Sequence, residues 1–120
     1  MNITPAQLER YRRSAREREA ARREQLAARR QRAWELARRA ADLLRQEFGV
    51  TRVVLFGSLL HPELFHSRSD IDLVVCDVQH YYRAVVWLLD LDADIAIDLI
   101  PVEDARPHIL DLIEREGVDL

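Results

Sequence analysis

The 120-residue chain is predicted to be an α/β protein, a small mixed sheet of about three strands flanked by helices and preceded by a long N-terminal helix. Two patterns predict this. A helical pattern without breakers runs from Pro5 to Phe48, and after Gly49 short β-rich runs alternate with helical ones, as when helices pack on a sheet. Composition agrees: 48% hydrophobic and 32% charged residues belong to a folded globular chain, long enough for one core and too short for two.

Thr4-Pro5-Ala6-Gln7 is a helix start, in which Thr4 caps, Pro5 suits the first helical position and Gln7 completes a capping box. Gly49 suits the C-terminal cap. Unbroken, such a helix would be roughly 65 Å long at 1.5 Å per residue, more than a domain of this size can cover. Leu36, Ala37, Ala40, Leu43, Leu44 and Phe48 form one stripe that should enter the core, whereas residues 5–30 carry few apolar side chains. The expected division is therefore an Arg-rich helical arm over residues 1–32 and a folded domain over residues 33–120.

Within the domain, Arg52–Phe56 reads as a strand, Ser58–Phe65 as a short helix and Asp70–Val75 as a second strand. Gln79–Leu89 suits a helix that buries Ala84, Val85, Leu88 and Leu89. Asp94–Ile100 alternates strictly and should be a third strand, and Glu103–Glu116 is a last helix closed by Gly117.

Charge is divided along the chain. Residues 1–48 hold 13 Arg and 7 acids, while residues 49–120 hold 5 Arg and 14 acids. Lysine is absent, which excludes lysine chemistry. In the arm, Glu9/Arg13, Glu19/Arg23 and Glu35/Arg39 stand four apart and would support a helix in solvent. The arm has three readings: a solvated helix, a helix that docks on a partner protein or pairs with a second copy, and a nucleic-acid binder. Interleaved glutamates and the lack of stacking aromatics count against the third. The longest apolar run, Ala84–Leu89, is far below the roughly 18 residues of a membrane span. The start of the chain is polar and Arg-rich, unlike a signal peptide. A single cysteine, Cys76, excludes an internal disulfide and a multi-cysteine metal site, so a reducing cytoplasm is the expected location.

The chemistry gathers at two short stretches. Asp70 and Asp72 stand two apart in an otherwise apolar strand, so both point to one face while Ile71 and Leu73 enter the core. Two carboxylates so placed repel, and desolvation aggravates it. A divalent cation removes the conflict; hard oxygen ligands suit Mg²⁺, which commonly takes one or two protein carboxylates and completes its shell with water and substrate phosphates. Asp98 offers a third carboxylate from the next strand, in preference to Asp94 at that strand's solvated beginning. Gly57-Ser58 supplies the complementary half. A glycine directly after a strand allows a sharp turn and a close approach to a ligand, the following N–H groups face an anion, and Ser58 adds a hydroxyl. Alone, Gly-Ser is most often a turn and Asp-x-Asp a solvated strand end. Together, each at a strand end, they point to metal-assisted nucleotidyl transfer. His61, His66, His80 and His108 lack ligand spacing and read as surface or packing residues, and Tyr81, Tyr82 and Trp87 read as core or partner contacts.

These residues, "LFGS", "SDIDLVV" and "IDLIP", resemble the motif set of the minimal nucleotidyltransferases (MNT) of the DNA polymerase β superfamily. The resemblance covers about residues 33–120, and "ILDLIEREGVDL" is similar to that family's closing helix and tail. It implies a polymerase β-like core that transfers a nucleoside monophosphate, usually AMP from ATP, with Mg²⁺. Gly57 and Ser58 match the phosphate-binding turn, Asp70 and Asp72 the metal ligands, and Asp98 the third carboxylate, which shares the metals and helps activate the acceptor hydroxyl. Many such proteins resemble antitoxins paired with a HEPN-type toxin, with a toxin tyrosine as the implied acceptor. The alternative is a degenerate module that neutralises its partner by complex formation alone. The spacer Leu59–Ser69 is one residue longer than the commonest form, and no basic residue follows Gly57-Ser58 directly; Arg68 is the nearest substitute.

Overall fold

The computed structural model describes residues 2–120. Helix α1 spans Pro5–Phe48, followed by strand β1 (Arg52–Phe56), a single 3-10 turn (Ser58–Leu60), β2 (Ile71–Cys76), α2 (Tyr81–Leu89), β3 (Ile97–Pro101), a second 3-10 turn (Val102–Asp104), α3 (Pro107–Glu116) and β4 (Val118–Asp119). The capping box forms as expected. The Thr4 hydroxyl accepts from the Gln7 N–H at 3.1 Å, and the Gln7 side chain accepts from the Thr4 N–H at 2.9 Å. Gly49 ends α1 in the left-handed conformation, φ 66°, and donates to the Leu44 carbonyl.

The sheet order is β3-β2-β1-β4, with β1 antiparallel to both β2 and β4, and β2 parallel to β3. The architecture is the expected mixed sheet flanked by helices, with a fourth, two-residue strand added at one edge. Two layers cover the sheet. Ala33, Ala37, Ala40 and Ala41 of α1 are almost wholly buried, and these small side chains bring the helix close to Val53, Leu55, Leu73 and Val75. Ala84 and Leu88 of α2 join the same core. On the opposite face Val54, Phe56 and Val74 are buried, and α3 packs there: a Cβ built on Gly117 would stand 2.6 Å from Val54 Cγ1.

Element boundaries shift from expectation where loops compete. α2 begins at Tyr81 and buries Ala84 and Leu88, but Leu89 faces outward, 63% exposed. β3 begins at Ile97, because the Asp92 carboxylate instead accepts from the N–H groups of Asp94 (2.8 Å) and Ile95 (2.9 Å) and closes a turn. α3 begins at Pro107, after a 3-10 turn takes up residues 102–104.

The long helix reaches well past the sheet. The molecule extends 65 Å along its principal axis with a radius of gyration of 19.4 Å, against about 14 Å for a compact chain of this length. Contact with the domain starts at Leu26, which is partly buried against the core. Arg29 bonds the Asp94 carboxylate at 2.6 Å just beyond it. Residues before Leu26 are nearly all exposed. No helix among the described residues is long and apolar enough to cross a membrane.

Candidate active site

The site is built where β1, β2 and β3 lie side by side. The register pairs Phe56 with Asp72 and Asp72 with Asp98, so these three share one face, the face that α3 partly covers. Adjacent strands are about 4.8 Å apart, which places the Asp72 and Asp98 carboxylates as direct neighbours. Asp70 precedes β2 by one residue and is exposed.

Gly57 follows β1 with φ 85° and ψ −157°, a region essentially closed to any residue with a Cβ. A second constraint acts at the same position: a Cβ there would lie 2.3 Å from Asp72 Oδ2. The glycine is therefore required by both its own backbone and the carboxylate that backs onto it. Ser58 starts a single 3-10 turn, not the α-helix expected to reach Phe65. The physical reason is Pro62: it lacks an N–H and drives His61 out of the helical region, to φ −122°, ψ 100°. The Ser58 hydroxyl has no hydrogen-bond partner among the described residues.

Asp72 is half-buried, and its carboxyl pKa is pushed up to about 6. Burial is the first cause, followed by the negative charges of Asp98 and Asp70. The structure thus brings Gly57, Asp72 and Asp98 together, with Asp70 within electrostatic reach and Ser58 beginning the adjoining turn. Asp94 lies elsewhere; it bonds Arg29 and Arg32 at 2.6 and 3.1 Å and ties the long helix to the domain.

A charge conflict of this kind suits a hard cation. Among the described residues no three His, Cys, Asp or Glu side chains already converge on one metal position. The donors that fit Mg²⁺ are the Asp72 carboxylate with its neighbours Asp98 and Asp70, and this ion commonly takes only one or two protein carboxylates.

Other side chains frame the site. A cavity of about 400 Å³ opens beside Asp98, lined by Ile100, Asp104, Ala105, Arg106, His108 and Ile109. The Tyr81 hydroxyl donates to the Leu99 carbonyl at 2.8 Å, and its pKa is raised by burial and then by the charge of Asp98. His61 Nε2 lies 3.1 Å from both Glu116 carboxylate oxygens, fastening the loop after the turn to the end of α3. On the other side, Arg30 of α1 donates twice to the Leu59 carbonyl. No local spacing announces these pairs, which are 55 and 29 residues apart. A larger groove of about 600 Å³ lies between α1 and the 62–65 loop, but none of the three aspartates lines it. The charge conflict at Asp72, not the larger volume, marks the site.

A family model for the nucleotidyltransferase domain matches residues 37–120. Among solved structures, one described as a toxin-antitoxin with AMP-PNP has a TM-score of 0.57 at 21% identity, covering 69% of this chain and 70% of that one. A toxin-antitoxin MntA-HpeT mutant has a TM-score of 0.56 at 19% identity, with 69% and 70% covered. These likenesses show a common fold. None of the curated proteins matches the chain in sequence.

Proposed function

The chain belongs to the nucleotidyltransferase domain family, and from that premise we propose that it transfers AMP from ATP, with Mg²⁺, to a tyrosine hydroxyl of a HEPN-type toxin, and so acts as an antitoxin. The observation that carries the reading is the fit of Gly57 against Asp72, with Asp98 next in register. A turn of glycine geometry and adjacent carboxylates on one sheet face are the two halves that nucleotidyl transfer needs.

Each residue has a part. The N–H groups that open the Ser58–Leu60 turn, with the Ser58 hydroxyl, hold the triphosphate. Asp72 and Asp70 are the residues that would hold Mg²⁺, with Asp98 sharing it. When bound, the ion neutralises phosphate charge and polarises the phosphorus. Asp98 accepts the proton of the acceptor hydroxyl. The acceptor oxygen then bonds to the α-phosphorus as the bond to the β-phosphate oxygen breaks, and pyrophosphate leaves. The likeness to toxin-antitoxin structures, one with AMP-PNP, supports the nucleotide and the kind of partner. The MNT resemblance supports Mg²⁺ and the tyrosine.

The test is incubation with [α-³²P]ATP, Mg²⁺ and a HEPN-type protein encoded beside this one. Label should appear on a tyrosine of the partner, and Asp72→Asn should reduce it roughly a hundredfold or more, in the range lost when one charge-stabilising group is removed from a transfer site. Undiminished labelling by the variant would overturn the assignment. Inhibition of the partner without any ATP binding in calorimetry would favour the complex-forming module instead.

A further inference from the structure

We propose that Arg30 is the positioning residue of the Gly57–Leu60 turn, setting from the long helix the geometry on which nucleotide binding depends. The inference rests on the reading of that turn as the triphosphate site. Arg30 Nε and Nη2 donate to the Leu59 carbonyl at 3.1 and 2.8 Å. The guanidinium is partly buried and has no carboxylate within ion-pair distance among the described residues. Its charge is therefore committed to this carbonyl, as a hydrogen bond stronger than one between neutral groups.

The bond controls more than one atom. The Leu59–Leu60 peptide is planar, so fixing its oxygen fixes the direction of its N–H. That N–H donates to the Gly57 carbonyl at 3.2 Å. Arg30 thus holds one end of a short relay that runs through a single peptide to Gly57, the residue in contact with the Asp72 carboxylate. The Leu59 side chain is wholly buried and anchors the turn from within. Arg30 anchors it from outside, on a helix whose neighbouring residue Ala33 is itself in the core. The segment after Ser58 reads Leu-Leu-His-Pro-Glu and offers no arginine of its own. The cation at this turn comes instead from a residue 29 positions away.

Three full-length variants test the assignment: Arg30→Met, Arg30→Lys and Leu26→Ala, the last removing packing from the same helix without touching the carbonyl. Arg30→Met should weaken Mg²⁺-ATP binding in calorimetry, and raise KM for ATP, by roughly tenfold, the scale of one lost charge-assisted hydrogen bond, with a smaller change in kcat. Arg30→Lys should recover part of it, since an ammonium keeps the charge but not the fork. Hydrogen exchange at the Leu60 amide should quicken in Arg30→Met, less so in Arg30→Lys, and not in Leu26→Ala. Leu26→Ala should lower the unfolding midpoint and leave ATP affinity unchanged. Unaltered Leu60 exchange and ATP affinity in Arg30→Met would overturn the proposal, as would an equal loss of affinity in Leu26→Ala. Failure of the unmodified protein to bind ATP, with Leu60 exchange still quickened by Arg30→Met, would overturn the nucleotide reading while leaving Arg30 as the residue that sets the turn.

Discussion

Leu55, Leu73 and Leu99 stand side by side on one face of the sheet, and Phe56, Asp72 and Asp98 stand side by side on the other, one residue along each strand. The same backbone ladder carries both rows. On the first face burial is complete for Leu55 and Leu73, both of which belong to the hydrophobic core. On the second, two carboxylates share a half-covered surface, and burial followed by like charge raises the pKa of one of them, Asp72. The first row makes the second possible: strands locked by a dry core hold charged groups together that would separate on a looser frame. The carboxylates are held in place by buried leucines on the opposite face of the sheet.

The largest expected effect lies on the dry face. Leu55→Ala removes a wholly buried side chain between α1 and the sheet, and should cost about 2–5 kcal/mol in urea unfolding, through lost transfer energy and the cavity left behind. A cost below about 1 kcal/mol would mean that this row is not the scaffold.

Gly57→Ala acts on the other face and should cost less in stability while harming the site more. Its strain is of the order of 1–3 kcal/mol, because alanine must either leave φ 85° or displace the Asp72 carboxylate. Calorimetry should show Mg²⁺-ATP binding lost in a protein that remains folded by circular dichroism. Retained binding would show that the contact between Gly57 and Asp72 is not needed.

Much of this division could be read from the sequence, and the failures have particular causes. Alternation in β2 and β3 separates Asp72 and Asp98 from Leu73 and Leu99 without any structure. β4 escaped because two residues, Val118 and Asp119, carry no period; their strand exists only through pairing with β1, an Arg52–Asp119 ion pair at 2.7 Å and the Leu120 N–H on the Val53 carbonyl. Leu89 escaped because an apolar run in a helix does not say which side faces the core. Spacing also misassigned partners on the exposed helix. Glu9 pairs with Arg16, and Glu19 with Arg22 and Arg23, whereas Glu9/Arg13 and Glu35/Arg39 do not form. With several guanidiniums within reach of each glutamate, position four is one choice among many. Arg30 and the His61–Glu116 pair depend wholly on tertiary contact, which no local period encodes.

The smallest effect sharpens the contrast most, because it concerns the cost of the charged row itself. The Asp72 pKa is about 6 in the folded protein against 3.8 ordinarily. A raised value means that the folded state prefers the protonated acid. The favourable contribution is complete below about pH 3.8 and disappears as pH rises through 6, leaving a buried like-charged carboxylate at neutral pH. At 1.36 kcal/mol per unit the limit is about 3 kcal/mol, and partial solvent access reduces it to the order of 1 kcal/mol. With EDTA present, Asp72→Asn should therefore be more stable than the unmodified protein at pH 7.5 by about 1 kcal/mol, with the difference vanishing towards pH 4. Paired urea titrations at the two pH values cancel the titration of every carboxylate outside this cluster, leaving Asp72 and the two neighbours coupled to it, Asp98 and Asp70. The same substitution that is expected to reduce transfer would then strengthen the fold. Equal stability at pH 7.5, or a gain that persists unchanged at pH 4, would show that charge at Asp72 carries no cost, and the opposition between the two faces would fail at its central residue.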